Sequence, residues 1–179
     1  MFVFIIALTI ATASPTPAPT STPTPAPSCA GDPGFHTLDF WLGTWQVTAG
    51  GKIDGTDVVT KILDGCAVTE DWTDVTGHHG KSLFYYDPFA KVWTQVWVTD
   101  QATERGGLKI KRLIATYADH GTRFEGLLPG PPGSKTVDDR TTLTPLADGT
   151  VRQRIEISTD GGSTWTTVYD AVYRHPPVH

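Results

Sequence analysis

From Thr44 to Arg174 the chain is a succession of ten short runs rich in Val, Ile, Thr and aromatic residues. They are Thr44–Ala49, Thr56–Leu63, Cys66–Thr73, Lys81–Tyr86, Val92–Thr99, Leu108–Tyr117, Thr122–Leu128, Arg140–Pro145, Val151–Ser158 and Thr164–Arg174. Turn signals punctuate them at Asp64-Gly65, Thr76-Gly77, Asp87-Pro88, His120-Gly121, Asp148-Gly149 and Asp160-Gly161-Gly162, where positive φ or an Asx turn reverses the backbone. No segment sustains a 3.6-residue apolar period. Short strands linked by hairpins build an up-and-down antiparallel barrel or a sandwich, and hairpins between successive strands throughout favour the barrel. The expected fold is all-β, a single barrel of about ten strands. A short helical turn, Phe35–Leu42, precedes it: Leu38, Trp41 and Leu42 share one face, and Asp32 or Thr37 is placed to cap it.

Alternation then assigns faces, because successive strand side chains point to opposite sides of a sheet. Lys91–Thr99 puts Trp93, Gln95 and Trp97 on one face, two indoles flanking an amide, although Val92, Thr94, Val96 and Val98 make the opposite face equally apolar. Val58, Thr60 and Ile62 are the expected inner set of their run, and Val68, Glu70 and Trp72 that of the next. Val151, Gln153, Ile155 and Ile157 must face in, since the reverse would bury Arg152, Arg154 and Glu156. Glu70 and Gln153 therefore point inward among aromatic side chains. A carboxylate in that setting must be paired, hydrogen-bonded or protonated. It serves either as a structural bond to an Arg or a Trp N–H, or as a ligand-orienting or proton-transferring group.

The first thirteen residues read as a signal peptide: an apolar run from Phe2 to Ile10, too short to span a bilayer, is followed by Ala11-Thr12-Ala13. Residues 14–34 read as a Pro/Thr-rich tether held near polyproline II. The barrel domain is assigned to residues 35–175 and a tail to residues 176–179. Export, to a periplasmic or secreted location, makes one disulfide the simplest state of the two cysteines, Cys29 and Cys66, with two free thiols or an intermolecular bridge as the alternatives. Net charge is −5. The densest basic cluster, Lys109-Ile110-Lys111-Arg112, is split between two faces by alternation, so neither a nucleic acid nor a membrane surface is an expected partner.

Gly43-Thr44-Trp45 after a helical turn, with Arg174 on the last strand, resembles the calycin pattern of lipocalins, in which that Arg packs over that Trp at the closed end of the barrel. A wider resemblance runs from Asp39 to Arg174. Asp39–Val47, Ile62–Cys66, Tyr86-Asp87-Pro88 and Trp93–Val98 are similar to a bacterial family of lipocalin-like exported proteins with no established activity. More distantly the chain resembles nitrobindins, ten-stranded barrels that bind haem through a His near the last strand. His175, just past Arg174 and before Pro176, departs from that placement, so haem is a secondary alternative. Ser158–Trp165 matches the pattern Ser-x-Asp-x-Gly-x-Thr-Trp and resembles the Asp-box of sialidases and other secreted β-proteins, a hairpin folding element.

Other chemistry is sparse. His78 and His79 are adjacent and so point apart in extended chain, which makes no metal site. Glu70 and Asp71 face opposite sides and form no glycosidase pair. Asp138-Asp139 reads as a solvated strand start, and Gly130–Gly133 as a loop at a barrel mouth. No Gly-x-Ser-x-Gly elbow, Walker loop or His-Glu-x-x-His occurs. The expected role is binding of a small hydrophobic or aromatic ligand by Glu70, Trp72, Trp93, Gln95, Trp97 and Gln153. The alternatives are an enzyme using Glu70 or His78 as acid or base, and an envelope interaction module with a filled core.

Overall fold

The computed structural model describes residues 29–129 and 133–177. The expected signal peptide and most of the tether lie outside them, as do Gly130–Pro132 and the last two residues of the tail. Ten antiparallel strands form a closed barrel: β1 (Gly43–Ala49), β2 (Lys52–Ile62), β3 (Ala67–Asp74), β4 (His79–Asp87), β5 (Val92–Thr99), β6 (Leu108–Thr116), β7 (Thr122–Leu128), β8 (Val137–Pro145), β9 (Val151–Ser158) and β10 (Thr166–Arg174). Each strand bonds its sequence neighbour, and β10 returns to β1. The limits of β5, β7 and β9 are those that alternation and turn signals predict. β2 begins four residues before its expected start, because Gly50 and Gly51, both at positive φ, make a two-residue hairpin turn.

One end of the barrel is sealed. The expected helical turn is a pair of 3-10 turns, Pro33–His36 and Asp39–Trp41, with Asp32 capping the first through Gly34 N–H at 2.8 Å. Thr37 caps nothing; its hydroxyl donates to Gly34 O. Leu38 and Trp41 are wholly buried there. Trp45 Nε1–H donates to Trp41 O and Trp93 Nε1–H to Gly34 O, each at 2.9 Å, so two strand indoles tie the plug to the wall. Trp41, Trp45, Phe84, Phe124 and Tyr173 meet edge to face at centroid separations of 5.6–6.3 Å, the arrangement that aromatic quadrupoles favour. The Cys29–Cys66 disulfide closes this end from outside.

Two expectations at this end are corrected. Arg174 does not cover Trp45; it lies 3.5 Å from Asp148 on the surface. The ring stacked on Trp45, at 3.9 Å, is His175, whose Nδ1 bonds Thr44 O. The strand ends at Arg174 and the next side chain folds back over the indole. On β2 the inner face is also the reverse of the one expected: Val58 is 41% exposed, while Asp57 and Val59 are buried. Register decides this. Asp57 stands opposite Trp45 and Val59 opposite Glu70, and directly paired residues share a face.

On the outer wall near the other end, the Ser158–Trp165 loop is drawn around Asp160. Its carboxylate accepts bonds from Thr164 N–H, the Thr164 hydroxyl and the Ser158 hydroxyl, which hold its pKa down at about 2. Gly161 and Gly162 take positive φ, and Trp165 Nε1–H donates to Gly162 O. The Arg140 guanidinium lies 4.0 Å over Trp165 and donates to Glu156 at 2.8 Å. That cover is why Glu156 is buried although it faces outward.

Candidate functional site

Above the aromatic seal the barrel holds a cavity of about 420 Å³ that opens at the end opposite the plug. Five of the six expected ligand-binding residues line it: Glu70, Trp72, Gln95, Trp97 and Gln153. Trp93 does not. It faces inward, which the equally apolar opposite face of its strand left open, and lies below, packed against Phe35 and Tyr86 in the seal.

The two indoles of the wall each lie over a glycine. A Cβ on Gly80 would sit 2.1 Å from the Trp97 ring, and one on Gly55 2.7 Å from that of Trp72. The missing side chains let both rings lie flat against the neighbouring strand and leave the centre of the barrel empty. A side chain at Gly80 would force the Trp97 ring to turn into the cavity, and one at Gly55 would also strike the Thr73 backbone oxygen at 2.4 Å.

The floor is polar. Gln95 Nε2–H donates to the Ser82 hydroxyl at 3.0 Å, and Ser82 donates to Glu70 Oε2 at 2.5 Å. Tyr173 donates to Gln153 Oε1 at 3.0 Å. Nearer the mouth, Tyr169 donates to Asp54 Oδ2 at 2.6 Å. Glu70 is 4% exposed, and burial pushes its carboxyl up to about 7 against the opposing pull of the Ser82 bond and of Lys111 and Lys109. Asp57 lies deeper, with neither carboxyl oxygen hydrogen-bonded. Burial first, and the charge of Glu70 second, raise it to about 9. At neutral pH Asp57 is a neutral acid.

Across the barrel, β6 sends Lys109 and Lys111 inward. Lys111 is 2% exposed; its ammonium donates to Asp139 Oδ1 at 2.8 Å and to Thr141 Oγ1. Burial lowers its pKa to about 8. Asp139 is on β8, two strands away, and the strand between offers Gly126 opposite both residues. The Lys111 stem crosses over this glycine, where a Cβ would come 3.1 Å from Lys111 Cγ. Asp139 is thus no solvated strand start: it is 1% exposed, anchors Lys111 and has the Lys109 ammonium 3.2 Å away.

The rim carries His78, His79, Asp74 and the 100–107 loop. His78 stands 3.7 Å from Asp100, and His79 bonds the Thr73 hydroxyl. No group of three metal-ligating side chains occurs among the described residues. His175, offered by the distant resemblance as a haem ligand, is stacked on Trp45 at the sealed end and does not line the cavity. Sequence reasoning missed Lys109, Lys111, Tyr169 and Tyr173 in the lining, and the buried Asp57 and Asp139 beside it. The alternation of Lys109 and Lys111 with Leu108 and Ile110 was the one signal available for the lysines. Compared with models of known families and with curated proteins, the chain matches none.

Proposed function

We propose that the protein is an exported, lipocalin-like barrel that binds a small molecule with an aromatic or apolar body in its open end. The observation that supports this most directly is the cavity of about 420 Å³ walled by Trp72 and Trp97 and floored by Glu70, Gln95 and Gln153. Pockets for small ligands combine such a volume with mostly apolar walls and a few convergent polar groups. A disulfide accords with an oxidising compartment, and no helix among the described residues is long and apolar enough to cross a membrane.

Titration with N-phenyl-1-naphthylamine tests the reading. Binding between the two indoles quenches tryptophan emission and brightens the probe, and Trp97→Ala weakens binding about tenfold, the loss of one aromatic contact of roughly 1–1.5 kcal/mol. A barrel that is folded by circular dichroism yet leaves the emission of this and similar aromatic probes unchanged would refute it.

A further inference from the structure

Resting on that reading, the charges within the cavity specify the ligand's polar end. Two ammonium groups, Lys109 and Lys111, face a single carboxylate, Asp139. Lys111 uses it fully, with a 2.8 Å hydrogen bond. Lys109 does not: Asp139 Oδ2 is 3.2 Å from Lys109 Nζ and still receives no hydrogen bond. The Lys109 ammonium is therefore close enough to be held but is not directed at its partner, and its side chain is only 17% exposed and lines the cavity. A sequestered ammonium without an aligned acceptor is a recognition group for an anion.

Glu70, its pKa raised to about 7, changes this count near neutral pH, and Lys111, lowered to about 8, changes it in the same direction as pH rises further. The titratable and charged groups around Glu70 are Asp54 and Asp57 on β2, Lys109 and Lys111 on β6, Asp139 on β8 and Tyr169 and Tyr173 on β10. The 100–107 loop adds Glu104 and Arg105, of opposite charge, and at the rim stand Asp74 at the end of β3, His79 at the start of β4 and His78 between them. Asp54 lies nearer the mouth, bonded by Tyr169, and belongs with the rim; Asp57 is neutral. On the floor, beside the two lysines, the carboxylates are Glu70 and Asp139. With Glu70 ionised, two lysines meet two carboxylates and the cluster is neutral by itself. With Glu70 protonated, one positive charge is left for the ligand to complement.

We infer that the cavity takes the acidic group of a small aromatic or apolar acid at Lys109, and that Glu70 takes up a proton when it does. The ring lies between Trp72 and Trp97, and the acid occupies the acceptor position that Asp139 leaves unfilled.

Two probes with one ring system test this: 1-anilinonaphthalene-8-sulfonate, which is an anion, and its neutral parent N-phenyl-1-naphthylamine. At pH 6 the intact protein should bind the anion at least about tenfold more tightly. That preference should fall as pH rises through 7, while the neutral probe's affinity stays flat. Lys109→Gln should abolish the preference, Lys109→Arg should keep it, and Glu70→Gln should remove its pH dependence. Equal affinity of the wild-type protein for the two probes overturns the inference without recourse to any variant, and so does an anion preference that survives Lys109→Gln. If neither probe binds the folded barrel, the small-molecule reading itself fails. If only the neutral probe binds, that reading stands and the acid site falls.

Discussion

Asp57 is the residue under greatest electrostatic constraint. A buried carboxyl with no hydrogen bond is tolerable only while protonated. Its folded pKa of about 9, like the value of about 7 for Glu70, lies above the ordinary carboxylate range. Between that range and the folded value the native state holds a proton that the unfolded chain has lost, so stability falls as pH rises. Lys111 acts in the opposite sense, its lowered pKa favouring the fold above about pH 8, so the carboxyl effect is cleanest between about pH 5 and 8. Urea unfolding should show a declining free energy over that window. Asp57→Asn should flatten the decline and raise stability at pH 8, because the amide needs no proton taken up on folding. An unchanged slope in that variant would mean that Asp57 is not protonated in the native state. The sequence conceals this residue for a physical reason. Along β2 the set Val58, Thr60 and Ile62 looks like the better core, and only pairing with Trp45 and Trp72 on the flanking strands turns Asp57 inward. Glu70 was legible because its own strand offers no rival apolar face: Thr69, Asp71 and Thr73 alternate with it.

At the scale of elements, the cavity exists because glycines on β2 and β4 receive the indoles of β3 and β5. Gly80 has ordinary backbone angles, so Gly80→Ala probes space alone. Its Cβ would drive Trp97 toward the cavity centre. The variant should lose about 1–3 kcal/mol of stability, as overpacked sites do, shift the tryptophan emission and bind the naphthylamine probe more weakly. Gly31→Ala, where a Cβ meets nothing within 4 Å, is the matched control and should do none of the three. Gly126→Ala should uncouple Lys111 from Asp139, since its Cβ would strike Ile110 O at 2.1 Å. Strand positions were readable because turn residues act locally, and β5, β7 and β9 follow them to the residue. The charged floor was not, because it depends on which strands lie two apart around a closed barrel. On β6 Leu108, Ile110 and Ile114 are left outside, at 45%, 63% and 54% exposed, while Leu113 packs against the core. A strand whose lysines point in contradicts its own alternation, and Asp139 is the reason it can.

For the whole molecule, the Cys29–Cys66 bridge joins residues 37 apart in sequence and sits at the sealed end. Removing it as Cys29→Ala with Cys66→Ala should cost about 3–4 kcal/mol, the chain entropy of a loop that long. Thermal unfolding would report this, and probe affinity below the transition should not change, because the cavity lies at the other end. The same placement has a consequence for handling the protein. The described chain enters at Cys29 beside the plug, and β10, running away from the mouth, returns it to that end at Arg174. The connections at the mouth are β-hairpin loops. A barrel tethered to a surface through either flank of the domain would therefore stand with its opening toward solution, ready to be loaded from the bulk phase.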